Sequence, residues 1–266
     1  MFVSRRARIV LRLFTLLVLL VLYFPLLYVA RLSVATSLGF AWPPSGFTLE
    51  HWSDARHADA PREAFMNSLT IAFWATLVAL VLGSLAAAAL SRYQFFGRQT
   101  LNLVIILPIA LPGIVTGIAL NSGFARLGVE LSAVTLAVAH STFCIVIVFN
   151  NMVARMRQLG PNIDEASADL GADQLQTFWY VRLPMLSSSL LAGALLAFAL
   201  SFDEIIVTTF TAAGGFQTLP LWIFQNMFRD MSLPLVNVTA TFVVIVMVIP
   251  VYLAQRLSDA TAGGRT

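Results

Sequence analysis

The sequence predicts an all-α, polytopic membrane protein with six transmembrane helices. Three observations carry that prediction. Of the 266 residues, 59% are hydrophobic and only 11% are charged, against about 25% charged in a soluble chain. The mean hydropathy is +0.84, more apolar surface than a water-soluble fold of this size can hide. Apolar runs of about 20 residues recur along the whole length, each long enough to cross a hydrocarbon core roughly 30 Å thick.

The first span is expected at about 10–30, after Arg5, Arg6, Arg8 and Arg12. A signal peptide begins in the same way, but this run stays apolar through Ala30, which favours a retained helix. The other spans fall at about 66–90, 100–122, 132–153, 185–209 and 235–256. A cytoplasmic N-terminus puts the arginines at 5, 6, 8, 12, 92, 98, 155, 157, 182, 256 and 265 inside, and those at 31, 56, 62, 126 and 229 outside. That bias predicts cytoplasmic N- and C-termini and an even number of spans. The expected domains are 1–62, an N-terminal helix and extracytoplasmic loop; 63–257, a five-helix transmembrane domain with a cytoplasmic loop at about 154–184; and 258–266, a cytoplasmic tail.

The third span contains LPIALPG, with Pro108 and Pro112 four residues apart and Gly113 and Gly117 nearby. Each proline removes a backbone donor, so a bent or locally opened helix is expected. The residues leave open whether the bend lines a pathway or only kinks the packing. The outer loop, about 31–65, holds Trp42, Pro43, Pro44, His51, Trp52 and His57 without regular metal-ligand spacing, so its histidines are expected at the surface. Cys144, the single cysteine, lies in an apolar run and is expected to pack rather than to react. His140, Asn150 and Asn151 in the fourth span are expected to make interhelical hydrogen bonds.

All 16 basic residues are arginine. Without lysine the chain cannot form a phosphate-binding GxxxxGK[ST] loop or a Schiff base, so any ATP must be hydrolysed by a partner. The arginines are scattered over short loops and form no stripe, which speaks against nucleic acid. No HExxH motif, nucleophile motif or paired metal-ligand set is present, so an enzyme is not expected, with no catalytic residues and no cofactor of the chain's own.

Two stretches carry functional signals. The inner loop from Asp164 to Pro184 reads DEASADLGADQLQTFWYVRLP. It is helix-compatible at first, broken at Gly171, helical again from about 173 to 181, with Pro184 suited to the first turn of the fifth span. A helix, glycine turn and helix on the cytoplasmic face form a knob that another protein can grip, although an interfacial amphipathic helix pair fits the same pattern. The second stretch, SFDEIIVTTF, puts Asp203 and Glu204 in an apolar span, where a charge costs on the order of 2.5 to 3.5 kcal/mol. On a continuous helix Glu204 shares a face with Ser201, Thr208 and Thr211, and Asp203 shares one with Ile206, Val207 and Phe210. A position at the outer interface, or a pairing with an arginine such as Arg229, remains open for the acids.

The inner loop resembles the EAA loop of binding-protein-dependent ABC importer permeases, with Glu165, Ala166, Gly171, Val181, Leu183 and Pro184 in register and Ser167 departing from the third alanine. The broader resemblance runs from about 63 to 255. It implies a MetI-like, type I importer fold in the bacterial inner membrane, in which two permeases form the pathway, two ATP-binding subunits hold ATP and magnesium, and an extracytoplasmic binding protein delivers solute. It also implies that Glu165, Ala166 and Gly171 contact the ATPase. The acid-bearing segment, with QTLPLWIF and Trp222 after it, resembles that of spermidine and putrescine permeases of the PotC-like class. That implies a small cationic substrate met by Asp203, Glu204 and Trp222, and a homologous second permease. An interfacial anchor is the alternative for Trp222. Opines, iron, sulfate or other solutes, or a secondary cation carrier, are the alternative functions.

Overall fold

The computed structural model describes residues 4–37, 46–160 and 162–262; Trp42, Pro43 and Pro44 lie outside the described residues. Among the described residues, five helices are long and apolar enough to cross a membrane, and a bent helix pair makes a sixth candidate. The chain forms two compact units, Met1–Pro61 with Ile223–Thr266, and Arg62–Trp222.

In the first unit, α1 (Arg5–Leu32) and α2 (Glu50–His57) both pack on α12 (Leu233–Ala262). Ser4 caps α1 by accepting the Ala7 N–H. Leu13, Leu17, Leu20 and Leu27 remain more than half exposed, as befits a helix whose solvent is lipid. The outer-loop histidines are satisfied locally: His51 Nε2 is 3.2 Å from the Ala35 carbonyl, and His57 Nδ1 is 2.8 Å from that of Ser53.

The second unit is built on α3 (Asp59–Arg92), α6 (Ala133–Leu159) and α9 (Leu183–Phe202). The second span begins earlier than the expected 66 because Pro61 falls in the first turn of α3, where a missing N–H costs nothing. Ala75, Ala79 and Ala87 of α3 join Ala139, Phe143, Cys144, Val148 and Met152 of α6 and Ala197 of α9 in the core. Lipid tails are as apolar as leucine, so helices hold together here by close packing of small residues. A Cβ on Gly83 would lie 2.9 Å from the Ile145 carbonyl oxygen and 3.0 Å from Val148 Cβ.

The α6–α9 seam repeats every three or four residues. Arg155 Nε donates to the Met185 carbonyl at 3.1 Å and Ser189 Oγ to that of Asn151 at 2.8 Å. Gly193 lies against Val148, Cys144 Sγ donates to the Ala197 carbonyl at 3.4 Å, and His140 meets Ser201. His140 and Cys144 thus sit as expected, whereas the Asn151 amide bonds its own helix at the Ile147 carbonyl, 2.9 Å away, and Asn150 is exposed.

The third span breaks outright. α4 (Arg98–Ala110) and α5 (Gly113–Arg126) meet at 110° across Leu111–Pro112. The fifth span departs further from expectation. It ends at Phe202, leaves Asp203–Ile205 out of helix, and resumes as α10 (Ile206–Thr211). Gly113 and Gly117 let α10 lie on α5, since a Cβ on Gly117 would come within 2.8 Å of Phe210. At the other end, α9 continues backwards through a π-helical turn, Thr177–Arg182, into a short α8 (Gln174–Gln176). The reason is Pro184: it offers no N–H to the turn before it, and the widened turn absorbs the gap, with Leu183 N–H bonding the Phe178 carbonyl.

Candidate coupling knob and pathway residues

The inner loop folds as the helix–turn–helix that its sequence predicts. α7 (Ile163–Asp169) places Asp164 and Glu165 in its first turn, where the helix dipole favours carboxylates. It ends in a Schellman turn, with Gly171 N–H on the Ala168 carbonyl at 2.8 Å and Ala172 N–H on that of Ser167 at 3.1 Å. Gly171 has φ +83° and nothing within 4 Å of where a Cβ would stand, so its need for glycine is conformational and not steric. Asp173 and Gln176 form a reciprocal capping box that starts α8, at 2.8 and 3.0 Å.

Two contacts close the knob that the sequence alone did not disclose. The Arg182 guanidinium grips both carboxylate oxygens of Asp164, tying the start of α7 to the end of the π turn. Buried between the limbs, Ser167 Oγ lies 2.9 Å from Thr177 Oγ1, whose own proton goes to the Asp173 carbonyl at 2.9 Å; Ser167 is therefore the donor. The serine that departs from the EAA pattern is thus the interlimb bond. A polar pair spaced ten residues apart across a predicted turn was the available signal.

Glu165 and Ala166 are exposed in the first half of α7, Val181 and Leu183 are half-buried, and Pro184 is exposed. Leu170 at the tip is 90% exposed, and Leu175, Trp179 and Tyr180 are exposed as well. Because the second limb is one rod with α9, Gln174–Phe202, about 43 Å of continuous helix at 1.5 Å per residue leads from the knob to the break at the acids.

At that break the faces expected of a continuous helix no longer hold. Glu204 is half-buried, and its Oε1 accepts the Val207 N–H at 2.8 Å, starting α10 as a cap. Ser201, Thr208 and Thr211, expected on its face, are buried, while Asp203 is exposed. Glu204 has a second oxygen to offer, and Asp203 has both. Trp222 is only 4% exposed, on α11 (Leu219–Asn226). Its ring is covered in this structure. In the same region Asn67 Nδ2 donates to the Gln217 carbonyl at 3.0 Å, and Ser68 Oγ accepts the Leu219 N–H at 2.8 Å, pinning the approach to α11 onto α3.

The family model for the binding-protein-dependent transport system inner membrane component matches residues 79–262, a stretch that includes the knob and the broken fifth span. The chain belongs to this family. Among curated members, it is 33% identical over 230 residues to the putrescine transport system permease protein PotI of Escherichia coli K12, covering 84% of this chain and 81% of that protein. To the spermidine/putrescine transport system permease protein PotC of the same strain it is 30% identical over 246 residues, 92% of each chain. A putative 2-aminoethylphosphonate transport system permease protein, PhnV of Salmonella typhimurium, is 32% identical over 184 residues, 68% of this chain and 69% of that one.

Among solved structures, a bacterial ABC transporter involved in import of the acidic polysaccharide alginate superposes with TM-score 0.73 at 16% identity, over 98% of this chain and 99% of that chain. An amino acid ABC transporter gives 0.59 at 15% identity, over 79% and 100%. These likenesses show the importer-permease fold. As a member of the family, the chain is a multi-pass component of a membrane transport system.

Proposed function

We propose that the chain is a permease subunit of an ATP-binding-cassette importer, forming with a second, homologous permease the pathway for a polyamine such as spermidine or putrescine. The knob, with Glu165 and Ala166 in the first half of α7 and Gly171 at its turn, docks on one of two partner ATPase subunits, which alone bind ATP and magnesium. The exposed apolar tip and the two contacts that stiffen the knob support this, since coupling by a lever needs rigidity. ATP-driven closure of the ATPases moves the knob, and the rod from Gln174 to Phe202 carries the motion to the break. An extracytoplasmic binding protein delivers the solute. The arginine distribution supports cytoplasmic N- and C-termini in a bacterial inner membrane.

The substrate reading rests on one observation: the fifth span opens at Asp203–Ile205, leaving both Asp203 oxygens and one Glu204 oxygen unbonded among the described residues, within an otherwise apolar segment. Acids at membrane depth are retained where they face a pathway or a cation. PotI and PotC, similar over most of the chain, are by name putrescine and spermidine/putrescine permeases. The burial of Trp222 does not support direct contact with the amine, so the two acids carry the site.

The test is ATP-dependent uptake of radiolabelled spermidine and putrescine into proteoliposomes holding the whole complex and its binding protein. Uptake should fall at least tenfold in Glu204→Gln with the complex still assembled. Uptake without ATP or ATPase subunits would refute the importer assignment. A second reading, another small solute on the same scaffold, has the PhnV likeness behind it. An ATP-hydrolysing complex that carries 2-aminoethylphosphonate and ignores polyamines would establish it.

A further inference from the structure

Two helices that meet at a break can move against each other unless something outside them joins them. Here the joint is His140, fully buried on α6. Its Nδ1 is 2.8 Å from Ser201 Oγ in the last turn of α9, and its Nε2 is 2.9 Å from Thr208 Oγ1 in the first turn of α10. Thr208 has a single hydroxyl proton, which it donates to the Glu204 carbonyl oxygen at 2.8 Å. Thr208 therefore accepts from the ring, so Nε2 carries the proton and Nδ1 accepts from Ser201. The relay runs one way: Ser201 to His140, His140 to Thr208, Thr208 to the backbone of Glu204. The Glu204 carboxylate is held by the neighbouring Val207 N–H at 2.8 Å.

We infer that His140 is a positioning residue for the pathway: by bridging Ser201 and Thr208 across the break at 203–205, it locks α10 to α9 and so aims the Glu204 carboxylate. This rests on the reading of Glu204 as facing the cation. A histidine that merely fills space would be replaceable by any well-packed side chain. A positioning one needs a donor where Nε2 stands. Glutamine places an amide N–H near that point, whereas asparagine reaches only as far as Nδ1 and Ser201.

The experiment uses the full complex with Cys144→Ala as parent and Val207→Cys as a reporter, since Val207 is 2% exposed. Maleimide labelling of the Val207→Cys thiol reports the seating of α10, and polyamine uptake reports function. In His140→Phe, which loses both ring hydrogen bonds, labelling should quicken about tenfold and uptake fall about tenfold, equivalent to about 1.4 kcal/mol and at the low end for two buried hydrogen bonds. His140→Gln should restore both readouts and His140→Asn neither. Thr208→Val, nearly isosteric, should reproduce His140→Phe and guards against simple misfolding, with assembly checked by co-purification. Unchanged labelling in His140→Phe, or rescue by asparagine equal to that by glutamine, would overturn the inference. Altered labelling together with full uptake in Glu204→Gln would overturn it through its premise, leaving a clamp on α10 with no carboxylate to aim.

Discussion

Replacing Gly171 isolates the turn of the coupling knob from everything around it. The residue sits at φ +83° with no atom within 4 Å of a Cβ, so a side chain meets strain but no clash. An L-residue in this left-handed region costs roughly 1–2 kcal/mol, asparagine less, and a β-branched residue more. If the knob docks only in its closed form, apparent affinity for the ATPase falls with the closed fraction, by up to about tenfold at 1.4 kcal/mol. Retention of ATPase subunits by Gly171→Asn, Gly171→Ala and Gly171→Val, measured by titration on immobilised permease, should therefore fall in that order. Uptake should follow it, with membrane insertion unchanged. A ranking by side-chain volume, with alanine better than asparagine, would refute the argument from φ and place a partner surface against Gly171 instead.

Other perturbations test the knob and the packing beneath it. Ser167→Ala removes the interlimb bond but leaves Thr177 its Asp173 partner, so the loss should be at most about 1 kcal/mol by protease protection of the knob. Asp164→Asn and Arg182→Gln should each loosen the knob by about 1 kcal/mol, discounted because the pair is partly exposed. A double-mutant cycle should return a coupling of similar size; additivity would show the pair to be ornamental. Gly83→Leu should lower the thermal stability of the detergent-solubilised protein, at about 1–3 kcal/mol for overpacking against Ile145 and Val148. Gly123→Ala on α5, with nothing within 4 Å, should be neutral or slightly stabilising through helix propensity.

Composition and period alone determined that the chain lives in lipid, that it carries five or six candidate spans, and that the loop after the fourth span is a helix–glycine–helix. These follow from local quantities: apolar run length, proline and glycine positions, capping residues. The prolines at 108 and 112 foretold a bend, though not one of 110°. Local signals fall short where a partner across space decides. A continuous fifth helix is what SFDEIIVTTF predicts, because nothing nearby breaks it. The interruption exists because α10 finds its own cap in Glu204, its own floor on Gly113 and Gly117, and a histidine 60-odd residues away in sequence that bridges the gap. Likewise, Ser167 reads as a small substitution in a familiar pattern until Thr177 is seen opposite it. Which carboxylate is held and which is free, and whether Trp222 meets lipid, solute or core, are properties of tertiary packing: they depend on what lies against a residue, and adjacent letters do not carry that information.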